Sequence, residues 1–193
     1  MPRTPHFQQE DILNAAFSLV RRDGLEALNA RAVARELHCS TQPIFRFYSS
    51  MDVLRQAVEE KAMSFYAECI RHSSGLDTRP YRATGLAYIA FARNEPQLFR
   101  MLFMCDHRSD AHHATKQDSS MDYVLDTIQQ STGYSREKAL YFNHIIWIFT
   151  HGLAVMVATQ FVPFSDDEIR QLLSEHYLAT RARFDTEDVP ASV

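Results

Sequence analysis

The residues best suited to specific chemistry in this sequence are hydrogen-bonding side chains near the N-terminus. Thr41, Gln42 and Arg46 fall on the polar face of a short predicted helix, and Ser40 stands where its hydroxyl can cap that helix. Pro43 fits the first turn, where a missing N–H costs nothing. Such a helix start can hydrogen-bond base edges and phosphates, which predicts that this helix enters a DNA groove.

A second short helix is predicted just before it. Asn29 stands where its side chain can cap this helix. The apolar residues repeat at i, i+3, i+4 and i+7, the spacing of one buried stripe, and they are Ala30, Val33, Ala34 and Leu37. Two short helices separated by a tight break predict a helix-turn-helix, in which the first helix supports the second.

The composition favours a long-helical protein of the cytoplasm. The chain has 193 residues, 46% of them apolar, with only 5 Gly and 7 Pro, which favours long helices over a turn-rich β fold. Three widely spaced cysteines and the lack of an apolar leader are expected in a reducing compartment. The apolar stretch 145–164 has the length of a membrane span, but its polar residues favour a buried or partner-facing helix.

Charge is distributed unevenly along the chain. Residues 1–55 contain seven Arg and six acidic residues, which gives a net charge of +1. Because the whole chain has a net charge of -4, residues 56–193 carry a net charge of -5. A mildly basic N-terminal segment on an acidic body is typical of a small DNA-reading module attached to a larger regulatory one.

The whole chain is predicted to be all-α, with about nine helices and no strand. The polar, His-rich stretch 105–117 lacks periodicity and is predicted to be a loop. Caps and breakers predict helices over residues 4–22, 29–37, 40–48, 50–71, 80–94, 97–104, 118–130, 135–161 and 165–183.

The first quarter of the chain resembles the TetR family of one-component transcriptional repressors. The first-helix pattern I-L-x-A-A-x-x-L…G is similar to Ile12, Leu13, Ala15, Ala16, Leu19 and Gly24. The pattern T-x-R-x-I-A…G-V-S is similar to Asn29, Arg31, Val33, Ala34, His38, Cys39 and Ser40. The pattern S-x-x-x-L-Y-x-H-F-x-S-K-x-x-L is similar to Ser40, Ile44, Phe45, Phe47, Tyr48, Ser50 and Leu54.

The resemblance implies an all-α homodimer with two domains. A three-helix DNA-binding domain at residues 1–50 would be joined by a fourth helix to a ligand-binding and dimerisation domain at 51–193. The implied function is that of a repressor released from a near-palindromic double-stranded DNA operator by a small molecule. The resemblance implies no cofactor and no enzymatic activity.

Nine residues form the predicted DNA-contacting set. Arg31 matches a family position that can reach a base edge, while Thr41 and Gln42 head the recognition helix, where they would contact thymine and adenine. Phosphates would be bound by Arg46 and by the N-terminal ends of the two helices. Such contacts fix the position of the protein on the DNA but contribute little to the recognition of a particular base sequence. The set comprises Asn29, Arg31, Ser40, Thr41, Gln42, Pro43, Phe45, Arg46 and Phe47.

Several of these positions depart from the family pattern. Phe45 and Phe47 replace a Tyr and a His that donate to phosphates, and Met51 replaces a Lys. The lost donors predict weaker or less salt-dependent DNA binding. They leave open a protein of the same fold that has lost DNA reading and binds a ligand or another protein. Phe45 fits a thymine contact and the core equally well, and His38 replaces a turn glycine, which predicts strain or a turn without a left-handed residue.

The C-terminal part carries a weaker resemblance. Residues 96–103 and 147–152 look like the subgroup named for its Trp, His and Gly, which implies dimerisation through the last two helices. Candidate effector contacts combine aromatic, Met and His side chains. They are Tyr88, Phe91, Met101, Phe103, His144, Trp147 and His151, for which packing in the core or across a dimer is the alternative.

The His-rich stretch raises the question of a metal enzyme. Cys105, His107, His112 and His113 include zinc-binding side-chain types, but their spacing matches no closed zinc site. A solvated loop without metal is the favoured interpretation. No glycine-rich phosphate loop, HExxH or GxSxG motif occurs, so an enzyme remains an alternative that depends on this loop alone.

Overall fold

The computed structural model describes residues 7–104 and 119–186, and within these ranges the chain is all-α. Nine α-helices and two single 3₁₀ turns, at Leu25–Ala27 and Ser73–Gly75, make up the described structure, which has no strand. The helices are α1 Gln9–Asp23, α2 Ala30–Glu36, α3 Gln42–Phe47, α4 Met51–Arg71, α5 Pro80–Asn94, α6 Pro96–Phe103, α7 Ser119–Thr132, α8 Arg136–Ala158 and α9 Asp166–Thr186. The predicted fold class is confirmed.

Most helix starts lie where the capping residues predict them. The Asn29 side chain accepts a hydrogen bond of 3.0 Å from the Ala32 N–H, and Ser50 caps α4 in the same way at 3.3 Å. Ser165 and Glu168 form a reciprocal capping box at the start of α9. These hydrogen bonds satisfy backbone donors that have no partner within a helix.

Other predicted boundaries are wrong. Ser40 does not cap α3, because the helix begins at Gln42 and its N-cap residue, Thr41, has helical backbone angles and no capping side-chain bond. α1 begins at Gln9 rather than near Thr4, which lies outside the described residues. α8 ends at Ala158 rather than near residue 161, since the chain turns at Gln160 with a φ of 55°.

By packing, the chain divides into two compact units. The first comprises the described residues within 1–65 and 95–106, and the second those within 66–94 and 107–193. The functional domain boundary near residue 50 stays a prediction.

The first unit joins α6 to the N-terminal helices. α1 packs against α2 and α6. Glu95, just before α6, accepts hydrogen bonds from the Arg21 guanidinium through both carboxylate oxygens. Gly24 ends α1 with a φ of 87°, a backbone conformation that other residues rarely adopt, so glycine is favoured there. The core of this unit includes Ile12, Val20, Val33, Ile44, Leu54, Val58, Leu98 and Phe99.

The second unit has an aromatic core. α5 packs against α7, α8 and α9. The Phe142 and Phe184 rings meet edge to face at 5.1 Å, and the buried Tyr81 hydroxyl donates to the Asn143 side chain at 3.0 Å. Among the described helices, α8 alone has the length and apolar composition of a membrane span, criteria that core helices of soluble proteins also meet.

The Arg21–Glu95 pair gives a stability prediction for the first unit. The Glu95 side chain is 11% exposed, so Arg21→Met would leave a largely buried carboxylate without its ion-pair partner. Because Arg21 itself is half exposed, we expect a loss of roughly 1–3 kcal/mol rather than the full cost of breaking a buried pair. Urea unfolding followed by circular dichroism measures it. The exposed Arg35→Met is the matched control, and equal stability of both variants would contradict the assignment.

Candidate functional site

The turn between α2 and α3 contains a strained residue. His38 has a φ of 50°, which is a left-handed backbone conformation that glycine adopts more readily than other residues. The Cys39 N–H donates to the Ala34 carbonyl at 2.9 Å and the His38 N–H to the Arg35 carbonyl at 3.1 Å, which closes α2. Of the two predictions for this turn, the strained one is therefore correct, and such a residue costs about 1–3 kcal/mol.

Two buried residues anchor α3. Ile44 is 0% exposed, and Tyr48, which follows the helix, is 2% exposed. The opposite side of the helix carries Gln42, Phe45 and Arg46, all exposed. Phe45 is 49% exposed, so its interpretation as a core residue is wrong. An exposed aromatic ring beside an amide and a guanidinium can contact both the apolar and the polar groups of a base edge.

The remaining predicted DNA contacts lie close by in sequence and in the same unit. Asn29 and Arg31 are exposed at the start of α2, and Ser40 is exposed before α3. Thr41, Pro43 and Phe47 are half buried, and the Arg46 guanidinium lies 5.4 Å from the Phe47 ring centroid. None of the nine residues is fully buried.

An ion-pair cluster that sequence reasoning missed connects α1 to α2. The Arg22 guanidinium contacts Asp23 at 2.8 Å and Glu36 at 2.6 Å. Hydrogen bonds to these carboxylates raise the pKa of Arg22, and the bond from Arg22 lowers the pKa of Glu36. Because the three groups are solvent-exposed, the cluster orients the helices and adds little stability.

The second unit contains a hydrogen-bonded aromatic cluster formed by Tyr88, Trp147 and His151. The Tyr88 hydroxyl lies 2.9 Å from Nδ1 of His151, and the rings of Trp147 and His151 stack with centroids 5.0 Å apart. Because burial disfavours the charged imidazole, the hydrogen bond is assigned with the Tyr88 hydroxyl donating to a neutral His151.

Burial controls ionisation in this cluster. It lowers the pKa of His151 and raises the pKa of Tyr88 above its ordinary value. Both side chains are therefore neutral near neutral pH, which suits hydrogen bonding to an uncharged polar group of a ligand.

The other predicted effector contacts differ in burial and in the unit that contains them. Phe91 is buried in the second unit and packs edge to face on Tyr66, a residue that the sequence analysis did not select. His144 is exposed on α8. Met101 and Phe103 belong to the first unit, on α6.

Metal binding is not supported by the part of the chain that the structure describes. Within residues 7–104 and 119–186, no group of three or more His, Cys, Asp or Glu side chains could hold an ion. The candidate zinc ligands of residues 105–117 lie outside the described ranges.

His151 gives a pH-dependent prediction. Since its pKa is lowered in the folded state, the unfolded chain binds more protons as the pH falls below about 6.5, and stability falls with it. The His151→Gln variant should therefore lose less stability than the wild type between about pH 7.5 and 5.5. Urea unfolding at both pH values checks this, with the exposed His144→Gln as control. An unchanged pH dependence in His151→Gln would count against a buried neutral imidazole.

Comparison with known proteins places the C-terminal part of the chain in a known family of domains. Residues 81–179 match the family of tetracyclin repressor-like C-terminal domains. No curated protein matches the chain. The matching family description does not name the Trp-His-Gly subgroup, which stays a prediction.

Solved structures show the same fold at low sequence identity. A TetR family regulator from Vibrio parahaemolyticus is 16% identical, with a TM-score of 0.67 over 90% of this chain and 98% of its own. A TetR family member from Streptomyces coelicolor is 17% identical, with a TM-score of 0.62 over 87% and 96%. A TetR-like regulator from Rhodococcus sp. is 18% identical, with a TM-score of 0.63 over 93% and 99%. The chain belongs to the TetR family of transcriptional regulators.

Proposed function

We propose that the protein is a ligand-responsive, DNA-binding repressor that acts as a homodimer in the cytoplasm. The exposed surface of α3 carries this proposal, because its amide, aromatic and guanidinium side chains project from a helix anchored by buried residues. Two copies related by a two-fold axis would place their α3 helices in successive major-groove faces of a near-palindromic operator.

The exposed residues divide into base-reading and phosphate-binding groups. Gln42 can pair with adenine, Arg31 with guanine, and the Phe45 ring can pack on a thymine methyl group. Arg46 holds phosphates and so acts on any sequence. Phe45 and Phe47 supply no phosphate donor, so the affinity falls less steeply with salt than in a protein with more donors.

Dimerisation is proposed to use the exposed faces of the last two helices. On α8, Leu140, Trp147 and Ile148 lie on one face at i, i+7 and i+8, with 50%, 39% and 56% exposure. On α9, Leu178 is 58% exposed. α8 and α9 pack together, and exposed apolar residues on adjacent helices are typical of a protein–protein interface.

Release from DNA is proposed to follow binding of a small amphipathic molecule near the aromatic cluster. Tyr88 and His151 offer polar contacts there, and Phe91 an apolar one. Release requires only that the ligand bind the conformer with the wrong helix spacing better than the DNA-binding conformer.

A second candidate function follows from the missing donors. A protein of this fold that has lost DNA reading would still expose Phe45, which could then contact another protein or a ligand. A gel shift with the DNA that flanks the gene distinguishes the two functions. A shift at low salt supports the repressor, and no shift supports the second candidate.

Substitutions on α2 and α3 test the division of roles. Gln42→Ala and Arg31→Ala should each cost about 1–3 kcal/mol on the specific site and little on unrelated DNA. Arg46→Ala should weaken binding to both DNAs and reduce the slope of affinity against salt by about one. Fluorescence anisotropy at about 50–200 mM salt measures all of these effects.

Arg183→Ala on α9, in the second unit, serves as the charge-matched control and should leave DNA binding unchanged. Equal losses on specific and unrelated DNA for Gln42→Ala would refute its role in base reading.

The dimer interface is tested by charge insertion. Ile148→Glu combined with Leu178→Glu should convert the dimer to a monomer, because two buried, unpaired carboxylates per protomer oppose association. Size-exclusion chromatography with light scattering measures the mass. Val53→Glu, at a residue 43% exposed on α4, is the matched control and should remain dimeric. A double variant that remains dimeric would place the interface elsewhere.

A further inference from the structure

A groove of about 210 Å³ lies in the second unit between α5, the start of α9 and Leu76. Its apolar lining includes Leu86, Ile89 and Ile169, which are buried in the unit. This α5–α9 groove is smaller than the pockets of about 300–1,000 Å³ that hold drug-sized ligands. A groove of this size cannot hold a drug-sized ligand, but it can hold a smaller organic molecule such as one with a single ring.

The polar lining of the α5–α9 groove carries three charged side chains. Arg93 donates to the Asp166 carboxylate, and these two groups neutralise each other. Arg170, 40% exposed, donates to the Leu76 carbonyl at 3.1 Å. A guanidinium has five N–H donors in a fork that suits a carboxylate, so Arg170 retains donors that can face a ligand.

Arg170 belongs to a cluster with excess positive charge. The Asp77 carboxylate, 5% exposed, is contacted by Arg82, by Arg79 at 3.8 Å and by Arg170 at 3.7 Å. One carboxylate cannot neutralise three guanidinium groups, so the cluster attracts a further anion.

Asp166, in the first turn of α9, lines the groove and acts electrostatically on Arg170 as well as pairing with Arg93. Arg79, Arg82, Arg93 and Arg170 then face Asp77 and Asp166, which leaves an excess of two positive charges. Glu168 accepts hydrogen bonds from Ser165, and neither Glu168 nor Asp167 lines the groove.

The α5–α9 groove is separate from the aromatic cluster. Leu86, Ala90 and Arg93 follow i, i+4 and i+7 spacing on one face of α5, whereas Tyr88 and Phe91 lie on the opposite face. A ligand in the groove would therefore leave the Tyr88–His151 hydrogen bond unchanged.

We propose that the α5–α9 groove binds a small carboxylate with an apolar body. The carboxylate pairs with Arg170, and the apolar body packs against the exposed Leu76 and the half-buried Ala90. This assignment does not depend on DNA binding or on the effector site proposed above.

A ¹⁹F NMR titration with 4-fluorobenzoate at constant ionic strength tests the proposal. Saturable binding with a Kd on the order of millimolar is expected for the wild type. Arg170→Gln should raise that Kd at least about fivefold, since it removes the ligand's ion-pair partner. Ala90→Leu should weaken binding similarly while keeping every charge, because the larger side chain fills the groove. Circular dichroism confirms that each variant is folded.

Three controls make the outcome decisive. The neutral 4-fluorobenzyl alcohol should bind at least about fivefold more weakly than the carboxylate. Arg183→Gln, on the same helix, and His151→Gln, in the aromatic cluster, should bind 4-fluorobenzoate as the wild type does. No saturable binding up to about 20 mM, an unaffected Arg170→Gln, or equal affinity for the alcohol would overturn the proposal. Loss of binding in His151→Gln would assign the ligand to the aromatic cluster instead and would also overturn it.

Discussion

The conformation of α3 depends on burial of the side chains on its inner face. The helix has 6 residues, and isolated helices shorter than about 12–15 residues are marginal in water. Packing of Ile44 and Tyr48 supplies the stability that helix propensity cannot. Because an α-helix repeats every 3.6 residues, inward placement of these two side chains turns Gln42, Phe45 and Arg46 outward. The exposed set is therefore a direct consequence of the burial of the inner face.

α8 contributes to two surfaces of the second unit. His151 turns toward α5 and hydrogen-bonds Tyr88, whereas Leu140 and Ile148 are at least half exposed. Trp147 belongs to both surfaces, because its ring stacks on His151 while 39% of the residue stays exposed. A ligand that altered the environment of His151 would therefore also act on the face proposed for dimerisation.

Capping residues and hydrophobic periodicity predicted most of the helices. The features that they did not predict depend on contacts between residues far apart in the sequence. The Asn29 cap was predictable because the hydrogen bond joins residues three positions apart. Ser40 is also a residue type that favours the N-cap position, but the turn between α2 and α3 extends through it, so the helix begins only at Gln42. The exposure of Phe45 could not be predicted from the sequence, because it depends on how the whole first unit packs. The Arg21–Glu95 pair spans 74 residues and leaves no pattern in a single sequence.

The boundary between the two packing units falls at the junction between α5 and α6. Asn94 lines the groove, and the next residue, Glu95, belongs to the first unit and pairs with Arg21 of α1. One peptide bond joins them, so the boundary between the two units falls between Asn94 and Glu95. Because the Arg21–Glu95 ion pair joins α1 to the residue before α6, it fixes the start of α6 within the first unit.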